Sequence, residues 1–298
     1  MTTAISLTSL TRRYGDQLAL DGITVDVEGP AITGLLGRNG AGKTTLMRII
    51  AGQEFPTSGA VKVLGASPIE NDAVLSRMVL VREDQVFPNL EVGEALRVAS
   101  WFHPHWSAEL AESLLTGFEL PPNRRIDRLS RGMRSALGIV IGLAARAEVT
   151  LFDEPYAGLD AVARQLFSDR LLADYTEHPR TVLLSTHLID EAAPLMERVL
   201  MLDHGRLVLD AAADDVRGSA TIVSGPAPSV EDFVAGRVTW DRRRMGGHET
   251  VVVTGLLDDG DQARARTLHL GLEPLSLQQV MVHTAGRAVN DLERRTRA

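Results

Sequence analysis

The chain has 298 residues, no cysteine and a net charge of −8. That length holds one large α/β domain, or a medium domain plus a small one, and the missing thiols exclude a disulfide framework or a thiolate metal site. With 44% hydrophobic and 23% charged residues the chain is not a disordered one, and its acidic balance argues against nucleic acid as a partner, because such affinity rests on cationic contacts to phosphate.

The N-terminal "MTTAISLTSLTRRYG" has no apolar run of signal-peptide type. The longest apolar stretch, Ala136 to Ala145, is closed by Arg146 and falls well short of the ~20 residues that span a bilayer. A cytoplasmic protein is expected, linked to a membrane only through a partner. Strands are predicted at 31–37, 78–83, 149–153, 181–187 and, as one long run, 198–210. Several are apolar without alternation, which suits parallel strands buried on both faces. Helical patterns fall at 43–52, 92–103, 107–118, 131–147 and 160–177, so strands and helices alternate as in a helix-covered parallel sheet. Residues 84 to 147 read as a helical insertion carrying Trp101, Phe102 and Trp106. "GSATIVSGPAPSVED" reads as a domain boundary because it is rich in Gly, Pro and Ser. Residues 219–298 are then a small α/β accessory domain, with a strand in "HETVVVTGLL", short helices or a helix and a strand in "DDGDQARARTLHLG" and "LSLQQVMVHTAG", and a frayed tail, "NDLERRTRA".

Two stretches carry chemistry. "GLLGRNGAGKTTLMRII" holds G-x-x-x-x-G-K-[ST] from Gly37 to Thr44, between a predicted strand and a predicted helix. Glycines let backbone N–H groups curl around phosphate oxygens, and the helix N-terminus adds partial positive charge. Lys43 reaches the β- and γ-phosphates in such a cradle, and the Thr44 hydroxyl ligates Mg²⁺. Position 43 is chemically marked, since Lys43 and Lys62 are the two lysines among 31 basic residues; a compact ammonium differs from a guanidinium as a phosphate contact. "VTLFDEP" ends a buried strand on Asp153 and Glu154, where a parallel strand faces its ligand crevice. Asp153 is a candidate for the Mg²⁺ shell, and Glu154 for orienting or deprotonating a water. His187, in "LLSTHLIDEA", ends a neighbouring strand and is a candidate γ-phosphate contact.

With these residues in order, positions 1–218 resemble the ATP-binding subunit of ABC transporters. The phosphate loop is Gly37, Arg38, Asn39, Gly40, Ala41, Gly42, Lys43, Thr44 and Thr45. "LSRGM" stands at the signature, with Ser130 and Gly132 retained and Arg131 and Met133 replacing the usual glycine and glutamine. "VTLFDEP" matches Walker B, "AGLD" with Asp160 matches the D-loop, His187 the switch histidine, and Tyr14 the aromatic that stacks on adenine. The resemblance implies the P-loop NTPase fold of ABC ATPase type, with a mainly parallel core sheet, an antiparallel β subdomain and the helical insertion. It implies ATP and Mg²⁺ as ligands, a head-to-tail dimer with the same or a similar chain, integral membrane permease subunits as partners, and peripheral attachment to the inner face of the cell membrane. In that dimer the opposite chain supplies Ser130 and Gly132. The Q-loop residue is left among Arg82, Glu83 and Gln85; Gln85 is preferred, because an amide oxygen accepts from metal-bound water and an arginine does not. The tail resembles those of exporter subunits, which favours export. A soluble ABC-type ATPase of translation or repair, a non-hydrolysing regulator and a nucleotide kinase are the rival readings.

Overall fold

The computed structural model describes residues 2–255 and 257–282; the predicted tail "NDLERRTRA" and the end of "LSLQQVMVHTAG" lie outside them. The chain divides between Asp210 and Ala211 into two compact units. In the first, β1 (Thr2–Tyr14), β2 (Gln17–Gly29) and β4 (Ser58–Val63) form an antiparallel sheet in the order β2-β1-β4. The larger sheet runs β5 (Met78–Arg82), β6 (Val149–Asp153), β7 (Thr181–Ser185), β3 (Ala31–Leu36), β8 (Arg198–Asp203), β9 (Arg206–Ala212). Its β5-β6-β7-β3-β8 pairings are all parallel. The predicted run 198–210 is therefore two strands. Its apolar pattern is continuous, but His204 and Gly205 both take positive φ and reverse the chain.

Every residue of β6 and β7 is buried, as a sheet covered on both faces requires. One face packs against α1 (Lys43–Ile50) and the antiparallel sheet, through Leu35, Val149, Leu151 and Leu183 against Leu46, Ile50, Leu10 and Leu20. On the other face lie α5 (Arg131–Ala144) and α6 (Ala161–Glu177), where Phe152 meets the Phe167 ring edge-on at 5.2 Å. Short α2 (Asp72–Leu75) precedes β5, and α7 (Ile189–Ala192) follows β7.

The helical insertion comprises α3 (Val92–Phe102), α4 (Ala108–Gly117) and α5. Its helices start where capping groups are available. Glu91 and Glu94 form a reciprocal capping box on α3, and the Ser107 hydroxyl accepts from Leu110 N at 3.2 Å on α4; each satisfies donors that a helix end leaves unpaired. Trp106 packs against Val79, Ala145 and Ala147, whereas Trp101 and Phe102 are 71% and 66% exposed.

The second unit contains α8 (Ala213–Arg217), β10 (Ala220–Pro226), α9 (Ala227–Val234), β11 (Thr239–Met245), β12 (His248–Thr254), α10 (Asp259–Thr267) and β13 (Gly271–Pro274). Its antiparallel sheet runs β11-β12-β10-β13 around a separate core of Val223, Val230, Phe233, Val251 and Val253. The expected boundary in "GSATIVSGPAPSVED" is corrected: the segment is the inner strand β10 followed by α9. Its backbone is paired on both sides, by β12 and β13, and such long-range pairing overrides a turn-like composition.

One buried charge cluster ties the helices to the sheet. Asp174 on α6 accepts from Arg146 Nε at 3.0 Å and lies 2.7 Å from Arg180 Nη1. Burial pushes the Arg180 guanidinium below its ordinary pKa, and Asp174 opposes that. Removing the carboxylate leaves a buried cation unpaired. Asp174→Ala is expected to cost about 3–5 kcal/mol, read as a lower midpoint in urea denaturation.

Candidate active site

The phosphate loop turns from β3 into α1 at Gly42, whose φ is 105°. A Cβ there would sit 2.6 Å from the Ala19 carbonyl oxygen, so the position excludes a side chain both by conformation and by space. The loop is held from outside as well: Gly205 N donates to the Ala41 carbonyl at 3.1 Å. No side chain caps the first turn of α1, so its N–H groups face the loop, as anion binding at a helix N-terminus requires. Lys43 is buried, and its Nζ donates to the Gly37 carbonyl at 2.9 Å. It lies 3.5 Å from Glu154 Oε1.

Strand register sets the opposite wall. Arg82, Asp153 and Ser185 stand side by side at the ends of β5, β6 and β7. Ser185 Oγ donates to the buried Asp153 Oδ1 at 2.6 Å. Glu154 N lies 3.1 Å from the same hydroxyl oxygen and 3.2 Å from the Ser185 carbonyl. Glu154 has φ 54°, a left-handed conformation that costs a non-glycine residue of order 1 kcal/mol and collects at functional sites. It aims the carboxylate back over the loop, where Oε2 accepts from His187 N at 3.1 Å and lies 2.6 Å from His187 Nδ1.

A cleft of about 490 Å³ is lined by Tyr14, Gln17, Ala19, the segment Asn39 to Thr45, Glu83 and Glu154. Tyr14 is fixed at its mouth. Its hydroxyl donates to Glu54, and the Arg12 guanidinium stacks 4.5 Å from the ring centre while donating to the same carboxylate. Arg38 is exposed and contributes its carbonyl, which accepts from Ala41 N. Thr44, which lines the cleft, and Asp153, buried behind it, are the hard oxygen donors that could hold a Mg²⁺ ion. Among the described residues no group of three His, Cys, Asp or Glu forms a metal cage. Such a donor set fits Mg²⁺ that arrives with phosphate and water oxygens.

Of the three Q-loop candidates, Glu83 is the one that lines this cleft. The preferred Gln85 is not brought to it. The chain turns at Glu83 and Asp84, and Gln85 Oε1 folds back toward Arg82 N at 3.4 Å; the side chain faces α5 near Gly138. Arg82 points to Asp84, 3.4 Å away. A two-residue turn decides which of the three candidate side chains meets the nucleotide cleft, and a sequence pattern does not resolve that.

Ser130, Gly132 and Asp160 lie outside the cleft of their own chain. Ser130 caps α5, its hydroxyl accepting from Met133 N at 3.2 Å. Asp160 caps α6, accepting from Ala163 N at 2.8 Å. Gly132 presses on the D-loop, since a Cβ on it would sit 2.5 Å from the Gly158 carbonyl oxygen, and Ser135 Oγ donates to the Ala157 carbonyl at 2.8 Å. Ser185 and Glu54 are the site residues that sequence reasoning missed. Ser185 was in reach, since it lies two residues before His187 and pairs in register with Asp153 once β6 and β7 are taken as neighbours.

Residues 20–157 match the family model described as ABC transporter. The phosphonates import ATP-binding protein PhnC 1 of Natronomonas pharaonis is 35% identical over 218 residues, covering 70% of this chain and 94% of that protein. The Nod factor export ATP-binding protein I of Rhizobium etli is 31% identical over 303 residues, covering 96% of this chain and 94% of that protein. A solved ATP-binding subunit of an ABC transporter superposes with a TM-score of 0.66 at 26% identity, over 72% of this chain and 92% of its own. On this likeness in sequence and fold, the chain belongs to the ABC transporter family, as an ATP-binding subunit with ATPase activity.

Proposed function

We propose that this chain is the ATP-hydrolysing engine of an exporter, working as a head-to-tail pair with itself or a similar chain beneath membrane permease subunits. The observation that carries the direction is the extent of the match. Some Nod factor export relatives align over 96–97% of the chain, through the second unit, and others over 70%, whereas the phosphonate and sulfonate import relatives align over 70%.

In this reading Tyr14 stacks on the adenine, and the loop from Gly37 to Thr45 wraps the phosphates. Lys43 exchanges its Gly37 carbonyl and Glu154 contacts for the β- and γ-phosphate oxygens. Thr44 and Asp153 would hold Mg²⁺, which would supply positive charge against the phosphates. Glu154 orients the attacking water and takes its proton, while His187, already bonded to Glu154, steadies the γ-phosphate side of the cleft. Ser130, Gly132 and Asp160 act on the nucleotide of the opposite chain. Their position outside their own cleft, with the signature packed on the D-loop, supports that assignment.

The helical insertion supplies the permease contact. Trp101 and Phe102 are adjacent, exposed and at the end of α3, and exposed aromatic pairs favour interfaces. Among the described residues no helix is long and apolar enough to cross a membrane, so attachment to the inner face of the cell membrane runs through that contact.

Lys43→Ala is expected to weaken Mg-ATP binding at least about tenfold, the loss of a charge-assisted phosphate contact, by equilibrium titration. Glu154→Gln is expected to retain ATP binding, slow turnover by about 10²–10⁴ and accumulate ATP-bound dimers on size exclusion. Trp101→Ala with Phe102→Ala is expected to leave nucleotide binding intact while the chain no longer co-purifies with its permease from membranes. For direction, inside-out vesicles are expected to accumulate solutes on ATP addition, detected by mass spectrometry, and vesicles carrying Glu154→Gln are not. Accumulation confined to right-side-out vesicles would overturn export.

A further inference from the structure

Arg131 stands in the first turn of α5, at the position where the family signature has a glycine. Its Nη2 forms an ion pair with Glu83 Oε1 of the same chain. The direction is fixed by packing: a Cβ placed on Gly158 would lie 3.2 Å from Arg131 Cγ, so the aliphatic stem runs along the D-loop. Glu83 is no bystander. Its backbone N donates to the Asp153 carbonyl at 3.2 Å, and the residue stands between two clefts: it lines the nucleotide cleft with Lys43, Thr44, Thr45 and Glu154 and the neighbouring one with Arg131. The cleft thus carries two carboxylates, Glu83 and Glu154, against one lining cation, Lys43, with Asp153 buried beside them. A polyanionic nucleotide entering there meets an excess of negative charge unless Glu83 is neutralised from outside.

We propose that Arg131 is a positioning residue for the cleft of its own chain: it neutralises Glu83 and turns that carboxylate away from the incoming triphosphate. This deepens the nucleotide-site reading above and rests on it. Arg131 acts within its own chain here, and is not an extra contact to the phosphate held by the opposite subunit. The two roles differ in a measurable way. A contact across the dimer has no effect on binding to a monomer and does not depend on what occupies position 83. Neutralisation of Glu83 acts on the monomer and vanishes when residue 83 is uncharged.

The experiment is a double-mutant cycle on the full chain, at concentrations where it is monomeric, titrated with Mg²⁺ and the non-hydrolysable β,γ-imido analogue of ATP. Arg131→Gln is expected to weaken binding about three- to tenfold, since an unpaired carboxylate lining a half-exposed anion cleft acts at this strength. Arg131→Lys is expected to restore binding to within about twofold by the same argument from charge. In a Glu83→Gln background, Arg131→Gln is expected to change nothing. Equal weakening in both backgrounds, or none in either, overturns the proposal. Lys43→Ala is run beside them. If it fails to weaken binding, the nucleotide-site assignment falls; if it does weaken binding while the cycle shows no coupling, only the role of Arg131 falls. Arg131 is exposed at a helix start, and thermal melts of each variant confirm that folding is intact.

Discussion

A buried ammonium governs this structure. Lys43 is only 6% exposed, and a charge taken from water needs partners close by. The glycine loop supplies one through the Gly37 carbonyl, and the edge of the sheet supplies the other through Glu154. Two elements more than a hundred residues apart in sequence are thereby required to meet. The parallel order β6-β7-β3 makes the meeting possible, because β7 sits between the loop strand and the carboxylate strand and presents Ser185 to Asp153 and Glu154. Displace that register by one residue and Ser185 turns to the opposite face, leaving the buried Asp153 oxygen without its donor.

Much of this was legible from the residues because it is local. The cradle from Gly37 to Thr44 lies in eight consecutive positions and each glycine has a steric reason. The strand ends at Asp153 and near His187 follow from apolar runs stopped by polar residues. The five predicted helices stand within a few residues of the observed ones. What was illegible depends on contacts that cross the chain. Gln85 looked better than Glu83 by chemistry, and a two-residue turn reversed the choice. "GSATIVSGPAPSVED" has the composition of a linker, yet two flanking strands recruit it as the inner strand of a sheet. The Arg131–Glu83 pair joins residues 48 apart, so neither position announces the other.

The second unit has an independent core around Phe233 and an antiparallel sheet of its own. Its edge strand β11 carries Arg242, Arg243 and Arg244 in a row. Such charge on an edge discourages open-ended strand pairing with other chains, so the unit can be appended to an ATPase without making it prone to aggregate.

The contact between Gly132 and Gly158 has a consequence for closure. Because no side chain separates signature from D-loop, and Ser135 pins the same junction at Ala157, the two segments are packed directly together as one jaw. A jaw built in advance has little internal freedom left to lose when two copies clamp together. The entropy of ordering the bite is borne during folding, once, and does not recur with each cycle of nucleotide capture and release.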